Sequence, residues 1–184
     1  LHRVDRRQRQ MCIRDRRENA AEQPYRWTGV ALPGSAQAVG LDAIANEERG
    51  FDAQGFVEGS KAAYEMIVVS FARGDRKTLK GLLSKDVYDD FDQAITEREK
   101  RFEIAETTFV SMEKAELVSA EIKGKSVFMT MRFAPKLIST VKDKSGQIVD
   151  GTETVVDVSE TWTFSRPLGS RDPNWLLVAT EDGV

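Results

Sequence analysis

The chain has 184 residues, 40% hydrophobic and 31% charged, the composition of an ordinary globular protein long enough for one domain with a substantial core. Residues 1–40 carry eight basic and four acidic residues, a balance of +4, whereas the remaining 19 basic and 26 acidic residues give −7. This acidic balance disfavours nucleic acid as a partner, and the single cysteine, Cys12, excludes a disulfide framework and a multi-cysteine zinc site.

The first residues are expected to lie outside the folded domain. Residues 1 to about 25 have no apolar period and predict disorder. Their segment RQRQMCIRDR resembles a translated sequencing adapter, so we interpret the start of the chain as non-native. The alternative is a natural basic linker that contacts anionic lipid or nucleic acid. Under both interpretations His2 and Cys12 carry no functional information.

Residues 26–40 are rich in Gly, Ser and Ala around Pro33, which predicts a linker and places the folded domain at 41–184. A short helix is predicted from Leu41, and its acidic content favours packing on the domain over binding to a membrane surface. No segment approaches the roughly 18 consecutive apolar residues of a membrane span, so the sequence as given is expected to be soluble.

The stretch 55–83 organises the predicted domain. Its apolar residues recur at steps of three, four and seven, which is typical of a helix with one buried stripe. Gly74 then predicts the end of that helix, and Asp75 predicts the cap of the next. A third helical stripe follows, formed by Val87, Phe91, Ala94 and Ile95. No glycine-turn loop accompanies the acidic residues of its first turns, which therefore predict a solvated helix face and no metal site.

From Phe102 onward the apolar period changes to alternation, with turns at 142–146 and 171–174. Helices come first and strands later, without the alternation that a parallel sheet requires. The sequence therefore predicts an α+β fold: three N-terminal helices packed on a curved antiparallel sheet of about four long strands. One of these strands is TVVDVSETWTFS, whose alternation places Glu160 on the same face as Val158 and Trp162.

The sequence predicts no catalytic residue, no cofactor and no metal ligand. The domain contains no histidine, which excludes Ser-His-acid and Cys-His arrangements. The tripeptide at 124–126, Gly-Lys-Ser, resembles the end of a phosphate-binding loop. However, the position five residues before Gly124 is Ser119, where that loop requires glycine, so a hairpin turn is predicted.

Two segments, FVEGSKAAYEMIVVSFARGDRKTLKGLLSKDVYDDFDQAITERE and ETWTFSRPLGSRDPNWLLVAT, resemble the Tim44-like domain over about residues 41–182. The Gly-Asp helix break, the paired leucines, the Trp-Thr-Phe strand and the Asp-Pro-Asn-Trp turn occur in the family's order. The resemblance is strongest to alphaproteobacterial members. It implies the cone-shaped fold of the nuclear-transport-factor-two and cystatin-like superfamily.

The resemblance also implies a function. It implies a non-enzymatic, membrane-peripheral module that binds partner proteins at the inner membrane, contacts lipid, and resembles the tether of a protein translocase. Bacterial members usually have an N-terminal membrane anchor, and the non-native tail stands where that anchor is expected. Attachment is thus expected to be peripheral or through an anchor missing from this sequence. A ribosome-associated role is an alternative, disfavoured by the charge of −7.

Cone folds also hold apolar pockets, so an enzyme remains an alternative. The candidate pocket residues are Phe71, Met131, Phe133 and Trp162, although side chains at these spacings are more typical of a core. Glu160 is the candidate general base, with a pKa raised by burial. The competing hypothesis is that Glu160 turns to solvent or pairs with a basic residue such as Arg98.

Overall fold

The computed structural model describes residues 24–182, which form four helices packed on one sheet. The helices are α1 (Ala36–Glu47), α2 (Ala53–Arg73), α3 (Arg76–Lys80) and α4 (Lys85–Lys100). The strands are β1 (Ile104–Lys123), β2 (Ser126–Lys142), β3 (Ile148–Asp157), β4 (Glu160–Pro167) and β5 (Leu176–Asp182). The predicted α+β class, with N-terminal helices on an antiparallel sheet, is confirmed.

Side-chain caps define the ends of the helices. The Asp52 carboxylate accepts a hydrogen bond from the Gly55 N–H at 2.9 Å and begins α2. Gly74 ends α2 in the left-handed conformation, with φ of 68°, which glycine adopts without a steric cost. Asp75 then caps α3 by accepting from the Thr78 N–H at 3.1 Å. The predicted Gly-Asp break between two helices is confirmed.

All strand pairs of the sheet are antiparallel, and β2 lies at its centre. Strand β1 pairs with one edge of β2 by way of the predicted hairpin turn at 124–125, while β3 and β4 share the other edge and β5 pairs with β4.

The sheet has five strands where about four were predicted, because TVVDVSETWTFS breaks at Ser159 into β3 and β4. Pro135 of β2 lies opposite this break and has no N–H to donate to a neighbour. Its carbonyl accepts from the Val158 N–H at 3.0 Å. Strand β3 is exposed on both faces. Within this segment, the predicted alternation of buried and more exposed residues therefore occurs only in its second part, β4.

Residues 24–40 differ from the predicted linker. Trp27 is only 4% exposed, and its indole N–H donates to the Asp42 carboxylate at 2.8 Å. Ser35 caps α1, which begins at Ala36 instead of Leu41. An isolated tryptophan and a helix rich in small residues produce little apolar periodicity, which is why composition suggested a linker. The predictions of disorder and of a non-native start fall mainly on residues 1–23, which lie outside the described residues.

The core lies between α1, α2 and one face of the sheet. Tyr64 and Ile67 of α2 are fully buried, as are alternate residues of β2, where the predicted buried face is confirmed. Those residues of β2 are Val127, Met129, Met131 and Phe133. Burying one such side chain contributes about 1.5–3 kcal/mol. Within residues 24–182, no helix is both long enough and apolar enough to span a bilayer.

A groove and a cavity as candidate binding sites

An open groove of about 530 Å³ runs along α2. Its floor consists of small residues of that helix, namely Gly55, Gly59, Ala62 and Ala63. Its walls carry apolar side chains, namely Phe51, Phe56, Met66, Leu82 and Trp175. Met66 is 48% exposed, and Trp175 packs edge-on against Phe56 with ring centroids 4.8 Å apart. Because the floor lacks large side chains, another backbone can approach α2 closely.

An ion pair between Glu48 and Arg166 fixes one end of this groove. The Arg166 guanidinium donates to both Glu48 oxygens, one of the two bonds being 2.8 Å long, and the two side chains are only 12% and 11% exposed. The Gly169 N–H donates to the same carboxylate at 2.8 Å. The hydrogen bond from Arg166 lowers the pKa of Glu48 despite its burial. The Arg166 guanidinium also lies 4.7 Å from the Trp175 ring centroid, and this cation–π contact helps to hold Trp175 in the wall of the groove.

This groove was not predicted from the sequence. Glu48 and Arg166 are 118 residues apart, so no local pattern relates them. One signal was present in the small residues Gly55, Gly59 and Ala63, which recur every fourth residue along α2 and therefore share a face.

A smaller cavity of about 280 Å³ is lined by α2, α4, four strands of the sheet and Val158 between β3 and β4. Four aromatic side chains contribute to its wall, namely Tyr64, Phe71, Phe91 and Trp162. The rings of Tyr64 and Trp162 have centroids 4.4 Å apart, and those of Phe71 and Phe91 are 5.0 Å apart. The cavity is therefore apolar and aromatic over much of its surface.

The structure brings two of the four predicted pocket residues to this cavity. Phe71 and Trp162 line it, although Trp162 is only 3% exposed and belongs to the core together with Met131 and Phe133, which are 0% exposed. Both alternatives considered for these residues therefore occur, and Trp162 belongs to the core while also lining the cavity. That the cavity binds a ligand stays a prediction.

Glu160 is a half-buried carboxylate of the cavity. It accepts a hydrogen bond from the Tyr64 hydroxyl at 2.9 Å. Burial raises the pKa of Glu160, the Tyr64 hydrogen bond opposes that shift, and the charge of Asp182 adds to it. Burial, together with the neighbouring Glu160 charge, also raises the pKa of Tyr64. Asp182 faces Glu160 directly across strands β4 and β5.

Arg98 does not pair with Glu160, contrary to one of the two alternatives raised for that carboxylate. Its guanidinium donates to the carbonyl oxygens of Phe71 and Ala72 at 2.9 and 3.0 Å. These carbonyls belong to the last turn of α2, where that of Phe71 also accepts from the Gly74 N–H at 3.2 Å, so Arg98 acts as a side-chain cap of that helix. Desolvation by burial lowers the pKa of Arg98.

The acidic residues of α4 form surface pairs. Asp92 accepts from Arg76 at 2.5 Å, and Asp89 lies 3.0 Å from the Lys85 ammonium. These contacts agree with the predicted solvated helix face. Among residues 24–182, no group of three or more His, Cys, Asp or Glu residues is placed to hold a metal ion.

Comparison with known proteins identifies relatives of this chain. The family model described as the Tim44-like domain matches residues 37–182. The chain is 25% identical over 138 residues to a Rickettsia prowazekii (strain Madrid E) protein named "Uncharacterized protein RP434". That alignment covers 75% of this chain and 56% of the relative, so the chain spans little more than half of the relative's length.

Solved structures show a related fold. The intermembrane space region of the chloroplast protein ARC6 is similar to 72% of this chain over 96% of its own, with a TM-score of 0.52 and 12% identity. A conserved protein of Planctomyces limnophilus DSM 3776 aligns with 67% of this chain and 94% of its own, with a TM-score of 0.38 and 16% identity. At 12% identity, the likeness to the ARC6 region concerns the fold alone.

The family match supports the resemblance noted in the sequence. Members of the Tim44-like family interact with proteins at membranes. The match begins in α1 and ends in β5, so it spans all four helices and the entire sheet. This chain therefore belongs to the Tim44-like domain family.

Proposed function

We propose that this domain is a non-enzymatic, membrane-peripheral module that binds partner proteins at the inner membrane, in the manner of a translocase tether. The observation that carries the proposal is the open groove along α2, in a chain whose family interacts with proteins at membranes. Apolar walls, a floor of small residues and a charged rim are the features of a surface that accepts a protein segment.

The groove suits a helical segment of the partner that carries spaced apolar anchors. Gly59 has open space where a side chain would stand, and together with Ala63 it lets a second helix approach closely, whereas the Asp52 carboxylate covers Gly55. Trp175 and Met66 offer large apolar contacts on the walls, and tryptophan is enriched among residues that dominate binding energies. The rim carries one charge of each sign outside the Glu48–Arg166 pair, from Asp52 and Arg171.

A site-specific photo-cross-linker tests the groove in cells that carry the natural protein with its own N-terminus. Ala62 lies in the groove and is exposed, whereas Glu65 is exposed on α2 but does not line the groove. We expect cross-linker at 62 to capture an inner-membrane protein and cross-linker at 65 to capture it weakly or not at all. Equal capture from both positions would contradict a role for the groove.

Membrane flotation tests the location separately. We expect the protein with its native N-terminus to float with inner-membrane vesicles, held there peripherally, through lipid contact or through a membrane anchor of the natural protein. A protein that remains in the soluble fraction and captures no inner-membrane partner would contradict the proposed function as a whole.

One observation favours a second function, a small-molecule enzyme with Glu160 as general base. Glu160 lies in an apolar cavity, and burial raises its pKa, which suits a carboxylate for proton abstraction near neutral pH. However, the Tyr64 hydroxyl donates to this carboxylate and lowers its basicity. Turnover of a small carbonyl compound that disappears in Glu160→Gln would favour this second function.

A further inference from the structure

The cavity beside Glu160 has a charge pattern that the proposed partner-binding function does not use. The residues of 24–182 that line it include two carboxylates, Glu160 and Asp182, and no lysine, arginine or histidine. The remaining polar groups come from hydroxyl side chains, namely Tyr64, Thr107, Ser139 and Thr180. The cavity is therefore negative at its polar side and apolar elsewhere.

The two carboxylates differ in exposure, since Glu160 is half-buried and Asp182 is exposed. Among the described residues, neither Glu160 nor Asp182 takes part in a salt bridge. They lie directly opposite each other on adjacent antiparallel strands, where like charges repel. A cation bound inside the cavity next to both carboxylates would remove this repulsion.

The aromatic wall favours a cation for a second reason. The face of an aromatic ring attracts a cation within about 6 Å of the ring centroid. Phe71 already makes this contact with the Arg98 guanidinium, which lies 5.4 Å from its centroid. Phe91, whose ring centroid lies 5.0 Å from that of Phe71, adds a second ring to this wall, whereas the rings of Tyr64 and Trp162 pack against each other and are nearly buried.

We propose that this cavity binds a small organic cation, an ammonium group on an apolar body, with the ammonium at Glu160 and Asp182. The body lies against Phe71, Phe91 and Val68. A volume of about 280 Å³ holds about nine groups of the size of water, at roughly 30 Å³ each. The ligand therefore has about nine non-hydrogen atoms.

The charge pattern distinguishes this ligand from a lipid tail or a fatty acid. A neutral alkyl chain gains contact with the aromatic wall but nothing from the carboxylates. An anion of the same size is repelled by them. The proposal concerns a different surface from the groove, so each can fail without the other.

Calorimetric titration of the full chain with hexylammonium, hexanol and hexanoate tests the proposal, because these ligands share one apolar body and differ in charge. We expect hexylammonium to bind about tenfold more tightly than hexanol, and hexanoate to bind most weakly. Added salt should weaken only the binding of hexylammonium. Equal affinities for the three ligands, or a preference for hexanoate, would overturn the proposal.

Variants locate the site. Glu160→Gln keeps the shape of the side chain and should reduce hexylammonium affinity about tenfold while leaving hexanol unchanged. Glu116→Gln makes the same change of charge at an exposed position of β1 outside the cavity and should alter neither. Val68→Phe should fill the cavity and abolish binding of both ligands. A charge preference that survives in a folded Glu160→Gln protein would place the cation elsewhere and overturn the assignment.

Discussion

Glu48 and Glu160 are both carboxylates withdrawn from solvent, yet their surroundings shift their pKa values in opposite directions. Glu48 meets a guanidinium and a backbone N–H, and its pKa falls. Glu160 meets a tyrosine hydroxyl and a second carboxylate, and its pKa rises. The charge at the groove is compensated within the protein and supports the fold. The Glu160 charge at the cavity has no cationic partner among residues 24–182, so it remains able to attract a cationic ligand.

Breaking the compensated pair should have the largest effect. Arg166→Met leaves the Glu48 charge almost buried without its partner, so we expect the free energy of unfolding to fall by about 3 kcal/mol. Urea unfolding at neutral pH measures this loss. Lys61→Met removes the exposed Lys61–Glu58 pair and should change stability by less than about 0.5 kcal/mol. Similar losses in the two variants would show that the Glu48–Arg166 pair is not compensating a buried charge.

Removing the hydroxyl beside Glu160 should have an intermediate effect. Tyr64→Phe keeps the buried ring but takes away the hydrogen bond to the carboxylate, so we expect a loss of about 1 kcal/mol in unfolding free energy at neutral pH. Tyr88→Phe removes a hydroxyl outside the cavity and serves as the control. If the two variants lose stability equally, the Tyr64–Glu160 bond contributes nothing specific.

Neutralising Glu160 and neutralising Glu48 should change the free energy of unfolding with opposite dependences on pH. The pKa of folded Glu160 is raised, so its contribution to stability is greatest below the ordinary Glu pKa and declines as the pH rises through the raised value. The free energy of unfolding of Glu160→Gln should therefore equal that of the parent protein in acid. At pH 7 it should be the larger of the two, by less than about 1 kcal/mol.

The pKa of folded Glu48 is lowered, so its contribution is present above the ordinary Glu pKa and is lost as the pH falls through the lowered value. Glu48→Gln should be less stable than the parent at pH 7 and approach it in acid. Urea unfolding over about pH 3–8 measures both differences. Parallel curves for the two variants would remove the distinction between the two sites.

The helices and the central strand were predictable because their signals are local. Capping depends on a side chain and a backbone N–H two or three residues away, as at Asp52 and Asp75, and left-handed backbone favours glycine, as at Gly74. Alternation in β2 similarly predicted which residues face the core, since successive side chains of a strand point to opposite faces. Three of the four predicted pocket residues, Met131, Phe133 and Trp162, lie in the core, because periodicity identifies a buried face but not how completely it is filled.

The sequence by itself thus determined the kind of elements, the C-terminal end of α2 at Gly74 and the alternation in β2, because each depends on neighbours along the chain. Only the tertiary structure decided which charges are compensated: Arg166 reaches Glu48 across 118 residues and Tyr64 reaches Glu160 across 96. It also decided the burial of Trp27 and the break opposite Pro135. Such pairings depend on how the helices pack on the sheet, and that packing leaves no periodic trace in the sequence.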